Sequence, residues 1–195
     1  AFSSRLHWHC HFIQKLETQP SLEYQNMVRA FDGMREDDFD MEKFELWKNG
    51  KTGYPLVDAC MRALKEEGWL NFRMRAMVVS FASYNLWLDW KKTSKVLAGY
   101  FTDYEPGIHY NQIQMQSGVT GINTIRIYNP TKQLMDHDPK GTFVRKWCPE
   151  LKDVSDDFLA QPHMLPVAAQ KKYNCIIGKD YPMISVDLLQ SSKFA

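Results

Sequence analysis

Between Gly50 and Trp90 the apolar and polar positions of GKTGYPLVDACMRALKEEGWLNFRMRAMVVSFASYNLWLDW fall into two helical registers joined by a tight corner. Leu56, Cys60, Ala63 and Leu64 recur at helical spacing. Pro55 suits the first turn, where a missing N–H costs nothing, and Asp58 in that turn favours the helix dipole. Gly68 fits the left-handed position just past the helix end. Asn71 reads as the N-cap of a second helix running to about Trp90. On that helix Arg75 shares a face with Val78, Val79, Ala82 and Leu86, whereas Arg73 points nearly the opposite way. A guanidinium on an apolar stripe needs an anion, because burying it unpaired is prohibitively costly. That anion is either a structural carboxylate or a bound, electron-rich ligand.

The rest of the chain reads as shorter helical pieces, giving an all-α fold. Phe2, Leu6, Cys10, Ile13 and Leu16 predict a helix over residues 1–18, with Ser3 or Ser4 as its cap. Residues 19–50 form an acidic connector that ends in a short amphipathic helix carrying Phe39, Phe44, Leu46 and Trp47. Residues 91–102 predict a helix capped by Thr93 or Ser94. Pro106, Gly107, Gly118 and Gly121 break 103–125 into turns and short pieces. Asn129-Pro130 signals a turn, and Asp138-Pro139 a cap followed by the first helical residue. Beyond residue 152 the pattern fades, interrupted by Pro162, Pro166 and Pro182.

Composition narrows the chemistry. The 195 residues can bury a sizeable core, and 13% are aromatic, six of them Trp, enough to line a flat apolar cavity. The net charge is only +1, so nucleic-acid binding requires a local basic face. No apolar run reaches the roughly 18 residues of a membrane span. Cys10, Cys60, Cys148 and Cys175 are far apart, which reads as reduced thiols in a cytoplasmic protein. His7, His9 and His11 place only two imidazoles on one helix face, too few for a structural metal site.

GKTGYPLVDACMRAL, the following Gly-Trp with its Arg-x-Arg, the closing Leu-Asp-Trp, FTDYEPGIHY and RIYNPTKQLMDHDPKGTFVRKWCPEL together resemble the flavin-binding domain of the cryptochrome/photolyase family. The resemblance runs over residues 1–165, with 166–195 as a tail or closing helix of the same domain. It implies a helical bundle holding FAD in a central cavity. It also implies that the chain is a fragment, lacking an N-terminal antenna domain and a segment that contacts the FAD phosphates. Trp47 is then a core residue.

The resemblance further implies site residues. Arg75 pairs Asp103 beside the flavin, with Glu105 as second choice, and the pair is expected to be buried. His109 stands where the family has an Asn at the flavin N5 edge, and a His there can change charge near neutral pH. Trp8 takes the position that packs on a flipped-out lesion, and Arg73 that of a DNA-phosphate contact. Ile113 and Met115 replace two family Trp, one beginning an electron-transfer chain and one stacking on the lesion. Trp90 matches the next Trp of that chain. Arg5, His9 and Phe72 also depart from the repair enzymes. The implied function is FAD-dependent, blue-light-driven repair of pyrimidine dimers in damaged DNA. The alternatives are a cryptochrome-like photoreceptor acting on a signalling partner, and a flavin-free helical domain.

Overall fold

The computed structural model describes residues 2–195, and they form a helical bundle. Among these residues there is no sheet, only one bridge between Ile177 and Tyr181. The centre is α3 (Pro55–Glu67), which Pro55 opens and left-handed Gly68 ends, as its sequence predicts. Burial extends beyond the expected face to Val57, Ala59 and Met61. The cause is that α3 is wrapped by α2 (Met41–Lys48), α4 (Phe72–Ser80), α7 (Pro130–His137) and α8 (Thr142–Trp147). Fully buried Leu64 and Met61 each contribute about 1.5–3 kcal/mol of apolar burial. Trp47 is in the same core and donates its indole N–H to the Val78 carbonyl at 3.1 Å.

The corner before α3 is held by Asp58. Its carboxyl accepts from Thr52 N (2.7 Å), Thr52 Oγ1 (2.6 Å), Gly53 N (3.0 Å) and Tyr181 Oη (2.6 Å). Gly53 has φ 81°, and a Cβ there would collide with the Met183 carbonyl, so only glycine lets the distal segment cross this turn. Tyr54 Oη donates to Val186 O at 2.5 Å, which ties the same segment down again.

Several helix boundaries differ from the sequence reading. Asn71 does cap α4, accepting from Met74 N. The helix does not run to Trp90, however. It widens into a π-turn at Phe81–Asn85 and stops, with Trp87 left-handed at φ 57°. Polar side chains in this stretch bond outward to neighbours: Ser83 Oγ meets Ser117 Oγ at 2.9 Å, and Asn85 Nδ2 donates to Ser191 Oγ at 3.0 Å. These partners lie far off in sequence, so local spacing does not show the π-turn. Asp89, not Thr93 or Ser94, then caps α5 (Trp90–Tyr100). Residues 106–117 form one continuous helix, α6 (Pro106–Ser117), because Pro106 is its first residue and Gly107 is inside it. A Cβ on Gly107 would lie 2.7 Å from Ile13 Cα, so glycine allows α1 (Phe2–Thr18) to approach α6 closely. Only the second half of α1 uses its apolar stripe: Phe2 and Leu6 are exposed, and Ser3 and Ser4 lie within the helix rather than capping it. Asn129-Pro130 is the cap and first residue of α7, not a turn. Asp138 ends α7, and its carboxylate reaches over Pro139 to Phe143 N and Val144 N at the start of α8.

Candidate functional site

A solvent-open cavity of about 400 Å³ lies between α4 and α6. Phe72, Arg75, Ala76 and Val79 line it from α4 at helical spacing. Glu105, Ile108, His109, Gln112, Ile113 and Gln116 line it from α6 and its cap. Trp69, Leu70, Phe101, Asp103 and Tyr104 close the ends. The size is that of a ligand pocket. The walls are mainly apolar, with a few polar groups among them.

Arg75 and Asp103 form the expected ion pair, Nη2 to Oδ2 at 2.8 Å. The pair is not buried: the Arg75 side chain is 28% exposed and that of Asp103 49%. It sits on the cavity rim because Arg75 reaches back past the end of its helix. Nε donates to Leu70 O at 2.6 Å, and the guanidinium lies 4.1 Å over the Phe101 ring. Glu105 does not serve Arg75. It is the N-cap of α6, accepting from Gly107 N (3.1 Å) and Ile108 N (2.7 Å).

His109 is buried, and its Nε2 lies 3.0 Å from the Ser94 carbonyl. A carbonyl only accepts, so Nε2 carries the proton and Nδ1 is the ring's acceptor. Burial, with Arg75 adding repulsion against the Ser94 hydrogen bond, pushes its pKa down to about 4. The expected charge change near neutrality therefore does not occur, and His109 is neutral there.

The sequence profile of the FAD binding domain of DNA photolyase matches residues 2–195. The chain belongs to the photolyase/cryptochrome family. Cryptochrome DASH of Synechocystis sp. is 37% identical over 153 residues, covering 78% of this chain and 31% of that protein. A deoxyribodipyrimidine photo-lyase of Alkalihalophilus pseudofirmus is 34% identical over 158 residues, 80% of this chain and 33% of that protein. A class III photolyase crystal structure from Agrobacterium tumefaciens superposes with a TM-score of 0.89 at 31% identity, over 100% of this chain and 40% of that one. The chain thus spans about a third to two fifths of the length of these photolyase-family relatives.

FAD is the cofactor of this family domain, and the cavity's donor set suits its ring system. Leu70, Ala76, Val79 and Ile113 offer flat apolar walls, while Arg75 offers donors and His109 a fixed acceptor for a heteroaromatic edge.

The structure brings Arg75, Asp103, Glu105 and His109 together around one cavity, and places the other expected residues apart from it. Trp8 is 56% exposed on α1 and lines a separate shallow concavity with Ser4, His7 and His11. Arg73 is exposed on the outer face of α4. Met115 is half-buried and does not line the cavity. Trp90 is buried away from it, donating to Asn26 Oδ1 at 2.7 Å. Among the described residues no cluster of His, Cys, Asp or Glu is assembled that could hold a metal, and no helix is long and apolar enough to cross a membrane. Sequence reasoning missed Trp69, Phe101, Tyr104, Gln112 and Gln116. The four-residue recurrence of Glu105, His109, Ile113 and of Ile108, Gln112, Gln116 was the available signal, hidden by reading this stretch as broken turns.

Proposed function

We propose that this domain belongs to a cytoplasmic photolyase that repairs pyrimidine dimers in damaged DNA by light-driven electron transfer. The observation that supports this best is a flavin-compatible cavity open to solvent beside exposed aromatics, Trp69, Tyr104 and the 66% exposed Phe72. A planar base taken out of a duplex has both an entrance and ring faces to stack on. Bound FAD supplies light absorption and the transferable electron. The protein's share is placement. Arg75, stacked on Phe101 and tied to Leu70 O and Asp103, fixes positive charge at the rim, where it favours an electron-rich ring edge. His109 offers a lone pair without bringing a charge. Glu105 holds the first turn of α6 so that His109 and Ile113 face the cavity. In this reading Trp8 contacts the flipped lesion and Arg73 contacts phosphate, with Met115 on the lesion side.

A second reading, a photoreceptor that binds FAD and acts on a signalling partner, is favoured by one observation. The cavity wall carries Phe72 and Ile113 where the resemblance expects the repair enzymes' Asn and Trp, which removes polar and stacking contacts a lesion would use. A dimer-repair assay under blue light, using the full-length protein loaded with FAD, separates the two. Light-dependent splitting that Trp8→Ala reduces is expected for repair. FAD uptake with no splitting at any dose overturns repair in favour of the receptor.

A further inference from the structure

Two side-chain amides of α6 face the cavity. Gln112 and Gln116 line it with apolar Ile108, Ile113 and Val79, and both are partly exposed. Four residues apart on one helix, they stand one above the other, with Cβ atoms about 5–6 Å apart. Neither amide has a partner among the described residues, whereas Gln114, between them in sequence, is fully committed. It is buried on the other side of α6. Its carbonyl accepts from Met27 N at 2.7 Å, and its NH2 donates to Leu22 O at 2.8 Å and Gln25 O at 3.0 Å. Gln114 fastens α6 to the preceding connector. Gln112 and Gln116 instead present a donor and an acceptor each from a mainly apolar wall.

That pattern selects a ligand by its chemistry. A carboxylate or phosphate would meet two amide carbonyls as well as two donors, and is poorly matched. A cyclic imide edge, with an N–H between two carbonyls, is well matched. The two NH2 groups donate to the flanking carbonyls, and one amide carbonyl accepts from the N–H between them. Thymine and uracil carry this edge, and so does the pyrimidine ring of a flavin. We propose that Gln112 and Gln116 read the imide edge of a pyrimidine base taken into the cavity, and so set which base the site accepts. The proposal rests on the repair reading of the cavity. The base is the favoured carrier of the edge because His109, on the preceding turn of α6, and Arg75, on α4, already provide polar contacts for a flavin. Exposed Trp69, Phe72 and Tyr104 also line the cavity and give a planar base faces to stack on while its edge turns to α6.

The test uses the full-length protein loaded with FAD and two single-stranded oligonucleotides. One carries a thymine dimer. The other carries the same dimer methylated at both N3 atoms, which removes the imide N–H and keeps the rings. Anisotropy titrations in the dark give the two dissociation constants. Wild type is expected to bind the unmethylated dimer about tenfold more tightly, the scale of a well-formed base contact. Gln112→Met and Gln116→Met keep the side-chain length without the amide, and should each reduce that preference and together abolish it. Gln114→Met should lower the melting temperature and leave the preference in place. No preference in wild type, or one that survives in the double variant, overturns the proposal. FAD and 3-methyl-FAD titrated into the flavin-free protein check the other carrier, and wild type should take up both equally. A preference for FAD that the two substitutions remove assigns the amides to the flavin and overturns the reading of a base. Failure of the repair reading looks different. A dimer bound with the expected preference but never split under blue light overturns repair and leaves the role of the amides standing. A protein that binds neither oligonucleotide overturns both.

Discussion

Asp58 and Asp103 are both short acids beside an arginine-bearing helix, and the structure uses them in opposite ways. Asp58 is completely buried and accepts four hydrogen bonds from three residues, one of them in the distal segment. Its neighbour Arg62 is engaged elsewhere, with Gly50 O, Trp147 O and Glu150. Asp103 is half exposed and makes one recorded contact, the Arg75 pair at a cavity rim. The corner around Asp58 is a closed network in which every group has a partner, so it fixes the fold. The groove around Asp103 is lined by groups with hydrogen-bonding capacity to spare, such as His109 Nδ1, Gln112 and Gln116, which is what a ligand site requires. A residue's importance for stability and its importance for binding should therefore separate cleanly between these two regions.

The sharpest way to break that separation is at Asp58. Asp58→Ala leaves the Thr52 and Gly53 N–H groups and two hydroxyls without their acceptor in a buried site, and should cost on the order of 3–5 kcal/mol. Denaturant unfolding checks this, and a loss below about 1 kcal/mol would mean that the corner is not the fold's anchor. The next effect belongs to the groove and depends on pH. The His109 pKa is depressed from its ordinary 6.5 to about 4 on folding. Between those values the unfolded chain binds a proton that the folded one does not. The stabilisation is thus complete above pH 6.5 and is lost as pH falls towards 4, by on the order of 2–3 kcal/mol. Unfolding free energies measured from pH 7.5 to 4 should show this slope in wild type and a shallower one in His109→Asn. Equal slopes would place His109 in a solvated setting, contrary to its burial.

The two regions were also unequally legible in the sequence. The corner and α3 could be read almost completely, because Pro55, Asp58, Gly68 and Asn71 are local signals whose physics acts within a few residues. The Arg75–Asp103 partnership came with the family resemblance, not from spacing. Its half-exposed setting could not be read at all, since whether an arginine on an apolar stripe bends back to the surface depends on what lies across the groove. The π-turn at Phe81–Asn85 was invisible for a similar reason: Ser83 and Asn85 are drawn to Ser117 and Ser191, residues more than thirty and one hundred positions away. The role of Glu105 was misread because an acid before Pro-Gly looks like a free carboxylate until the helix it caps is known to be continuous.

Tyr181→Phe sharpens the comparison within the corner. It removes one of the four hydrogen bonds to Asp58 and nothing else, so the expected cost is about 1–2 kcal/mol. Asp58 keeps its three remaining donors, and FAD binding should be unchanged. If Tyr181→Phe weakens FAD binding while stability holds, the distal segment communicates with the groove and the two regions are not independent.

Arg75→Ala is the smallest stability effect and the most informative one for the site. A buried ion pair broken on one side costs several kcal/mol, because the remaining charge stays desolvated. Here both partners meet solvent, Asp103 more than Arg75, so water can hydrate the orphaned carboxylate. The discounted expectation is about 1 kcal/mol or less, part of it from the lost contact with the Phe101 ring rather than from charge. Removing the rim's fixed positive charge should nonetheless weaken FAD uptake by the full-length protein, because no other cation lines this cavity among the described residues. Arg75→Lys then distinguishes charge from geometry. A lysine keeps the charge but cannot serve Leu70 O and Asp103 at once in a planar fork. Recovery of binding by Arg75→Lys would assign the effect to charge alone, and continued weakness would assign it to the fork that holds the guanidinium over Phe101. A melting transition displaced as far by Arg75→Ala as by Asp58→Ala, with FAD affinity unaltered, would show that the rim pair is structural and would erase the contrast between the two acids.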